Sequence, residues 1–593
     1  MEPTTLVYEI ARHYADDHKA VSPAFYNYVH GLIRARDLQG LATCTCNFDW
    51  LLHTVDDWRF LRQIEAFFKK NATFGGDEEC AITARNTFMQ AERQCSLTNR
   101  RLKPFIGFPD RLPDGIRESV LKARTFIANV LGDTNRFIDQ LPRLIKVTPG
   151  ATATRSRRNS LPQLKMSMRT WAPRTAEPYI RAVYHSFGFD TVRVRRTYTN
   201  RVEFVPKNYK THRTIACEPD GTLPLQLAFD GWAKRKLRRF KIDLSDQSRN
   251  PRMAEEASIT DNMVTVDFKA ASDTIAYNVV SLLFPVDWFR FLDDIRSPMY
   301  RGTVGEGIYA KFSSMGNGAT FTIETLIFAA CCYAVGSRDF SVYGDDVIIG
   351  KEEYAAFLQL ADFLGFTVNV DKTFSSGPFR ESCGGDYFNG VNVTPVYLRG
   401  PAKRKAEWCH LVNVLAPLSY PGGHLAAFLL KLIDERNLPY VPWNQSTLSG
   451  VWIDPDQARS ARIITRLVTD GIRKRKLTKI GHLLRWPKQW VISLAFRKLS
   501  IVDSQIDYYK AYVPASKQRE FVDSRGYYLW FLNKLRQVSY AGPWGFKNVA
   551  SEVTSSVPVF EHRYVRKRVV WARPNEGIPS HLHWWSGLVV RAS

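Results

Sequence analysis

Ser341-Val342-Tyr343-Gly344-Asp345-Asp346-Val347-Ile348-Ile349 sets two adjacent carboxylates behind a glycine, between two short runs rich in β-branched and aromatic residues. That pattern predicts a hairpin: strand, tight turn at Gly344-Asp345, strand. Side chains alternate faces along a strand, and a turn breaks the alternation. Asp345 can therefore project into a cleft while Val347 and Ile349 enter a core. Two acids on one turn with no basic neighbour repel each other unless a cation sits there.

Upstream, Val264-Thr265-Val266-Asp267-Phe268 is a second β-branched run carrying an acid, continued by Lys269-Ala270-Ala271-Ser272-Asp273-Thr274. If this strand lies beside the hairpin, Asp267 and Asp345 face each other across a gap the size of two metal ions. Magnesium prefers hard oxygen ligands, takes few protein carboxylates, and fills its remaining positions with water and substrate phosphates. Two such ions a few ångströms apart stabilise the attacking and leaving oxygens of an in-line phosphoryl displacement. That is the chemistry of nucleotidyl transfer.

The remainder of the chain supplies a setting for it. At 593 residues the sequence is too long for one core and should divide into subdomains. Hydrophobic residues at 45% and charged residues at 24% are ordinary globular values. A net charge of +24 makes a polyanion the expected partner, nucleic acid being the common case. Anionic membrane competes for that role, but the longest apolar run, Leu326 to Val335, is too short to span a bilayer. Met1-Glu2-Pro3 opens without a basic n-region or an apolar h-region, so no signal peptide is expected. Nine cysteines without paired spacing fit reduced thiols in a cytoplasm. Cys44-Thr45-Cys46 has no second ligand pair at metal spacing and reads as structural.

Taken in order, Met1 to about Pro142 reads as helix and loop, with amphipathic stretches at Asp57 to Lys69 and Ile116 to Leu131. Thr148 to Ser160 is small, polar and basic. It is either a solvated linker or a loop whose arginines touch a nucleic-acid backbone. In Val205 to Pro219, Lys207, Lys210 and Arg213 recur every three residues, yet Pro206 and Thr214-Ile215 favour an extended ribbon over a helix. Cations aimed from such a ribbon into a cleft would neutralise an incoming triphosphate and the pyrophosphate it releases. Leu225 to Arg239 reads as a helix with Trp232 and Leu237 inward and a basic outer face suited to template contact. Ile242 to Asn250 adds amides and acids just before the Asp267 strand.

After that strand a helix is expected over Thr274 to Phe284. Ser314-Met315-Gly316-Asn317-Gly318 then forms a loop before an apolar helix from Thr320 through Ala334. Gly316 and Gly318 would let backbone approach a nucleotide closely, and Asn317 could hydrogen-bond a ribose 2′-hydroxyl. A plain helix-start turn is the alternative. Downstream of the hairpin, Glu352 to Phe363 reads as a helix and Phe366 to Phe374 as a returning strand ending near Lys372, a candidate proton donor to pyrophosphate. Phe379 to Phe388 and Val391 to Tyr397 read as a further hairpin.

In this order the segments Val205–Pro219, Ile242–Asn250, Asp267–Ile275, Ser314–Phe321, Tyr343–Asp346, Asp371–Phe374 and Phe379–Gly384 resemble the motifs of a right-hand RNA-dependent RNA polymerase. The closest resemblance is to the replicase catalytic (beta) subunit of the small positive-strand RNA bacteriophages, the levivirus type. Asp267-Phe268-Lys269-Ala270-Ala271-Ser272-Asp273, Met315-Gly316-Asn317-Gly318 and Phe379-Arg380-Glu381-Ser382-Cys383-Gly384 are particularly similar to that group. Resemblance is strong over Arg201 to Tyr397 and weaker at Ala91 to Asn99 and Gly150 to Thr154.

The resemblance implies an α+β right-hand polymerase with an antiparallel-sheet palm, fingers and thumb. Residues 1–200 would be an N-terminal region with part of the fingers, 201–260 fingers carrying the basic motif for the incoming nucleotide, 261–400 palm, and 401–593 thumb and C-terminal region. Asp267 and Asp345 would bind two Mg2+ ions, for which Mn2+ could substitute, with Asp346 beside them. Lys207, Lys210 and Arg213 would hold the triphosphate, Asp273 and Asn317 would read the ribose, and Lys372 would be the general acid. Many other viral polymerases place the second acid of the Asp267 motif five residues on; here, as in the phage group, it comes six on. The family further implies single-stranded RNA as template and product, ribonucleoside triphosphates as substrates, and initiation without a primer. Its host partners are elongation factors Tu and Ts and a large RNA-binding ribosomal protein, in the cytoplasm of an infected bacterium, with no membrane involved.

The C-terminal third carries charge clusters at Gly471 to Lys476 and Arg563 to Arg568, and Trp571, Trp584 and Trp585 read as core. Two other functions compete. A reverse transcriptase also uses a tyrosine and paired aspartates in such a hairpin, but usually blocks the 2′-hydroxyl with a bulky side chain where Ser272, Asp273 and Asn317 are polar. A non-catalytic RNA-binding repressor fits the charge but gives no reason for the ordered acids.

Overall fold

A computed structural model describes residues 2–47, 54–155, 165, 169–442, 447–448, 450–453, 458–465 and 568–574. The quoted stretch folds as strands Ser341–Tyr343 and Asp346–Gly350, paired antiparallel, and the second of these pairs antiparallel with Met263–Val266 on its other side. Both faces of Met263–Val266 are buried, which accounts for its unbroken apolar and β-branched composition.

Behind this sheet runs the helix Thr320–Ala334, buried on nearly every side. A helix apolar all round belongs inside a large core rather than on its surface. It packs in one continuous core with the helices Asp114–Leu131, Leu223–Leu237, Tyr277–Leu283 and Tyr354–Phe363. Phe268 of the strand segment stacks on Phe328 of that helix at 4.4 Å.

The basic ribbon is a second antiparallel pair, Thr199–Pro206 with His212–Cys217, in which Val205 lies opposite Arg213. Its first strand also pairs parallel with Met299–Gly302, and Gly305–Ile308 completes four strands. A third sheet follows the hairpin, but with its turn inside Phe379 to Phe388: Phe379–Ser382 pairs with Gly385–Phe388, and the expected strand from Val391 to Tyr397 shortens to Val391–Asn392.

The first helices of the chain, Pro3–Asp17, Pro23–Ala35 and Val55–Lys69, share a separate core with the late helices Lys405–Leu415 and His424–Glu435. Thr54 and Asp57 cap the third of them reciprocally, satisfying two backbone donors at its start. Among the described residues no helix is long and apolar enough to cross a membrane.

Three other sequence expectations change. Phe366 to Phe374 is not a continuous strand: single bridges at Val368 and Phe374 flank a 3-10 turn over Val370–Lys372. Asn369 inside this segment donates its backbone N–H to the Asp267 carbonyl at 2.8 Å, and the turn begins there. In the loop after Thr148, Arg155 is taken up by protein, its Nε pairing with buried Asp220 Oδ2 at 2.6 Å, while Arg157 and Arg158 lie outside the described residues. Gly316 and Gly318 make close approaches, but to protein. A side chain at Gly316 would overlap the Ala216 carbonyl, and one at Gly318 would press on Leu227 and Gln226. The clusters Gly471 to Lys476 and Arg563 to Lys567, with Trp584 and Trp585, lie outside the described residues. Arg568 and Trp571 fall in the strand Arg568–Pro574, paired antiparallel with Ala458–Thr465.

Candidate active site

The register of the first sheet decides which acids meet. Val266 pairs with Val347, so the next residue of one strand, Asp267, and the preceding residue of the other, Asp346, come to the same sheet end, beside the Asp345 turn. The turn is fixed from below by the Thr320–Ala334 helix. Gly344 N–H donates to Thr325 Oγ1 at 3.1 Å, and the Tyr343 ring meets Phe321 edge-on at 5.1 Å. Gly344 has φ +66°, and a Cβ there would sit 2.5 Å from the Phe321 ring, so both conformation and space require glycine. From the side, buried Asn250 staples the two strands. It accepts from Ser341 Oγ at 2.6 Å and donates to the Asp346 carbonyl at 3.2 Å.

Asp267 is held by the 3-10 turn that replaces the expected strand. Asn369 Nδ2 donates to Asp267 Oδ2 at 2.7 Å, and Lys372 Nζ lies 3.7 Å from the same oxygen. Burial raises the Asp267 pKa, and Asp345 and Glu381 add to the rise against Lys372 and Asn369. Asp346 is pushed up to about 6, by burial first and then by Asp345 and Asp267, with the Cys383 N–H opposing. Burial pulls Lys372 down, but Asp267, Glu381, Asp346 and Asp345 outweigh it and hold the ammonium above its ordinary pKa.

A fourth carboxyl belongs to the group. Glu324, 4% exposed in the Thr320–Ala334 helix, has its pKa raised well above normal by burial and then by Asp345, Asp273 and Asp346. Its Oε1 has no hydrogen-bond partner. An acid in the middle of an apolar helix was the signal for it in the sequence, since a charge there needs a partner. These acids offer hard oxygen donors with too few cations among them, the donor chemistry that suits Mg2+ or Mn2+. Asp267, Asp345 and Asp346 do not bring their oxygens within 4.8 Å of one another; among the described residues only His13, Asp16 and His424 do. In that trio a cation is already in place, with Arg12 Nη2 3.2 Å from His13 Nε2 and Nη1 3.5 Å from Asp16 Oδ2.

The other expected residues divide. Lys207 keeps solvent contact, yet desolvation first, then Arg213 and Lys372, lower its pKa against Asp273 and Asp267. Lys207 therefore lies in the field of the acids, with Arg213 beside it. Lys210 is exposed at the ribbon's tip, 5.2 Å over the Tyr209 ring, and no described contact links it to them. Asp273 follows Ala270, whose φ of +51° starts the 3-10 turn Ala271–Asp273 that takes up the six-residue spacing. Its Oδ1 accepts from Lys311 Nζ at 2.8 Å. Asn317 is 9% exposed, and its Oδ1 accepts from Ala319 N–H at 2.9 Å, so part of this side chain serves the helix-start turn.

A charge network missed in the sequence backs the site. Arg62, in the Val55–Lys69 helix, binds Asp386 Oδ2 through Nε at 3.0 Å and through Nη2, and reaches Glu381 Oε2 at 3.4 Å. Burial opposes ionisation of Glu381, but Arg62 and Lys372 lower its pKa overall. Glu381 thereby links the N-terminal helix to Lys372.

Comparison with known proteins shows the family. A family model described as RNA replicase, beta-chain, matches residues 29–428, spanning every motif above. The RNA-directed RNA polymerase subunit beta of Escherichia virus Qbeta is 39% identical over 454 residues, 73% of this chain and 76% of that one. The corresponding chain of Escherichia phage MS2 is 38% identical over 231 residues, 38% of this chain and 42% of that one. The RNA-dependent RNA polymerase of a human picorbirnavirus superimposes loosely, at 14% identity and a TM-score of 0.29 over 40% of this chain and 55% of that one. The fold assignment here stands instead on the strands and helices described above. With a family match over both acidic strands and a relative covering three quarters of each chain, the conclusion is direct: this chain belongs to the RNA replicase beta-chain family and is an RNA-directed RNA polymerase of the phage kind.

Proposed function

We propose that the chain copies a viral single-stranded RNA by magnesium-dependent nucleotidyl transfer from ribonucleoside triphosphates, starting without a primer. The observation that supports this best is the gathering of Asp267, Asp345 and Asp346 at one sheet end, where burial and the neighbouring carboxylates raise the pKa of Asp267 and Asp346. Asp267 and Asp345 would hold two Mg2+ ions, with Asp346 beside them; when bound, the ions lower the barrier by taking up charge on the attacking and leaving oxygens. Lys207 and Arg213, with Lys210 from the ribbon tip, would hold the triphosphate. Lys372, kept protonated by its acidic neighbours, would deliver a proton to the departing pyrophosphate. Asp273 and Asn317 would face the ribose 2′-hydroxyl.

In this reading residues 201–260 belong to the fingers, 261–400 to the palm, and those after 401 to the thumb. Membership of the family supports primer-independent initiation. It also supports work in the cytoplasm of an infected bacterium alongside elongation factors Tu and Ts and an RNA-binding ribosomal protein.

The test is incorporation of labelled ribonucleotides on single-stranded RNA, with and without Mg2+ and with and without bacterial extract, comparing wild type with Asp345→Asn. Product from wild type alone, lost on chelation, is expected; deoxyribonucleotides should serve poorly. RNA binding without product in any condition would refute the catalytic assignment, and a requirement for extract would expose the host subunits.

A further inference from the structure

Lys311 is a lysine with no exposed surface, an expensive group to bury without a purpose in the surrounding charges. Its Nζ lies 2.8 Å from Asp273 Oδ1 and 3.4 Å from Glu92 Oε1, and 4.0 Å over the Phe88 ring. Glu92 and Phe88 come from the helix Asp77–Leu102, far upstream of the polymerase motifs.

Everything around this ammonium is fixed in place. Ala310 N–H donates to Glu92 Oε2 at 2.6 Å, and Asn99 Nδ2 donates to the Ala310 carbonyl at 2.6 Å. On the other side Phe312 N–H reaches the Ile275 carbonyl at 2.8 Å. Cys95 of the same helix donates its thiol to the Asp273 carbonyl at 3.5 Å. Asp273 is thus gripped at its backbone and at one carboxylate oxygen. Its side chain stays 19% exposed and lies within the electrostatic reach of both Lys207 and Glu324.

From this geometry we infer that Lys311, clamped by Glu92, is a positioning residue for sugar selection. It holds one oxygen of Asp273 so that the rest of the carboxylate stays aimed at the ribose 2′-hydroxyl. The inference rests on the reading of Asp273 as the ribose contact. A carboxylate free to turn would swing away from the hydroxyl and would then no longer accept its hydrogen bond. A site built to accept a substrate hydroxyl rejects the analogue that lacks it. Losing the anchor should therefore cost the ribonucleotide and spare the deoxyribonucleotide.

The experiment measures kcat/KM for UTP and for dUTP on one RNA template, using the replicase with its full set of host components. Wild type is compared with Asp273→Asn, Lys311→Met, and the double variant Lys311→Met/Glu92→Gln, which removes the clamp without leaving Glu92 as a buried, unpaired charge. Both Lys311 variants should lower the UTP/dUTP ratio about ten- to a hundredfold, the worth of one charge-assisted hydrogen bond, with dUTP use within a few-fold of wild type. Retained dUTP use also shows that the variant is folded, which a purely structural lesion would not allow. If Asp273→Asn collapses the ratio but the double variant keeps it, Lys311 has no positioning role while the reading of Asp273 stands. If Asp273→Asn itself leaves the ratio unchanged, the ribose reading fails and the inference falls with it.

Discussion

Asp346→Asn should make the metal-free protein more stable while abolishing synthesis. In the folded chain the carboxyl titrates near 6, against 3.8 for the free group, because burial and the charges of Asp345 and Asp267 disfavour its ionised form. A group whose folded pKa is raised contributes full stability below the unfolded pKa and loses it as pH climbs through the folded value. The difference of about 2 pH units corresponds to roughly 3 kcal/mol at pH 8, at 1.36 kcal/mol per unit. By the same linkage the penalty is about 1 kcal/mol at pH 4.5, so most of it builds between pH 4 and 6. Asparagine cannot ionise, and its amide oxygen can still accept the Cys383 N–H. Urea unfolding in a chelating buffer should therefore show a gain of about 3 kcal/mol at pH 8 that shrinks as the buffer is acidified. Added Mg2+ should stabilise wild type more than the variant. A variant less stable than wild type at pH 8, or a gain independent of pH, would refute the argument from burial and mutual repulsion.

Arg62→Met should destabilise the fold by about 3–5 kcal/mol, since it leaves Asp386 buried without its cation; chemical unfolding measures this, and Arg62→Met/Asp386→Asn should recover much of it. Lys372→Ala should slow the single-turnover rate about a hundredfold or more, the usual worth of general acid catalysis, with little change in nucleotide affinity; an unchanged rate would remove Lys372 from the mechanism. Gly344→Ala should cost about 1–2 kcal/mol from the left-handed backbone alone and lower activity by shifting Asp345, with Phe321→Leu expected to relieve part of the steric share.

The hairpin was legible because its chemistry is local: a glycine, two acids and flanking β-branched residues fall within nine positions. Thr320–Ala334 was legible for the same reason, its apolar run ending where the helix ends. The Phe366 to Phe374 segment misled because alternating apolar residues look like a strand. A side-chain and backbone grip on Asp267 turns the chain there instead, and no local pattern reports a partner a hundred positions upstream. Arg62, Lys311 and Glu92 were invisible on the same ground. Each reads as an ordinary charge until the fold brings it against Asp386 or Asp273. Lys210 shows that a spacing of three on a ribbon does not give every cation the same neighbours, since it stands exposed at the tip over Tyr209.

The core shared by the first helices and the helices after Lys405 also sets a timetable. Tyr14, Phe60 and Phe67 bury against Trp408, Val412 and Leu429. During synthesis the opening segment must therefore wait for ~360 further residues before its apolar face is covered. At bacterial elongation rates of about 5–20 residues per second, that is roughly 20–70 s of exposure. A chain broken off before Lys405 never covers the face, and it presents greasy helices to chaperones and proteases instead of a working polymerase. The helices after Lys405 thus certify that the message has been read past the catalytic residues.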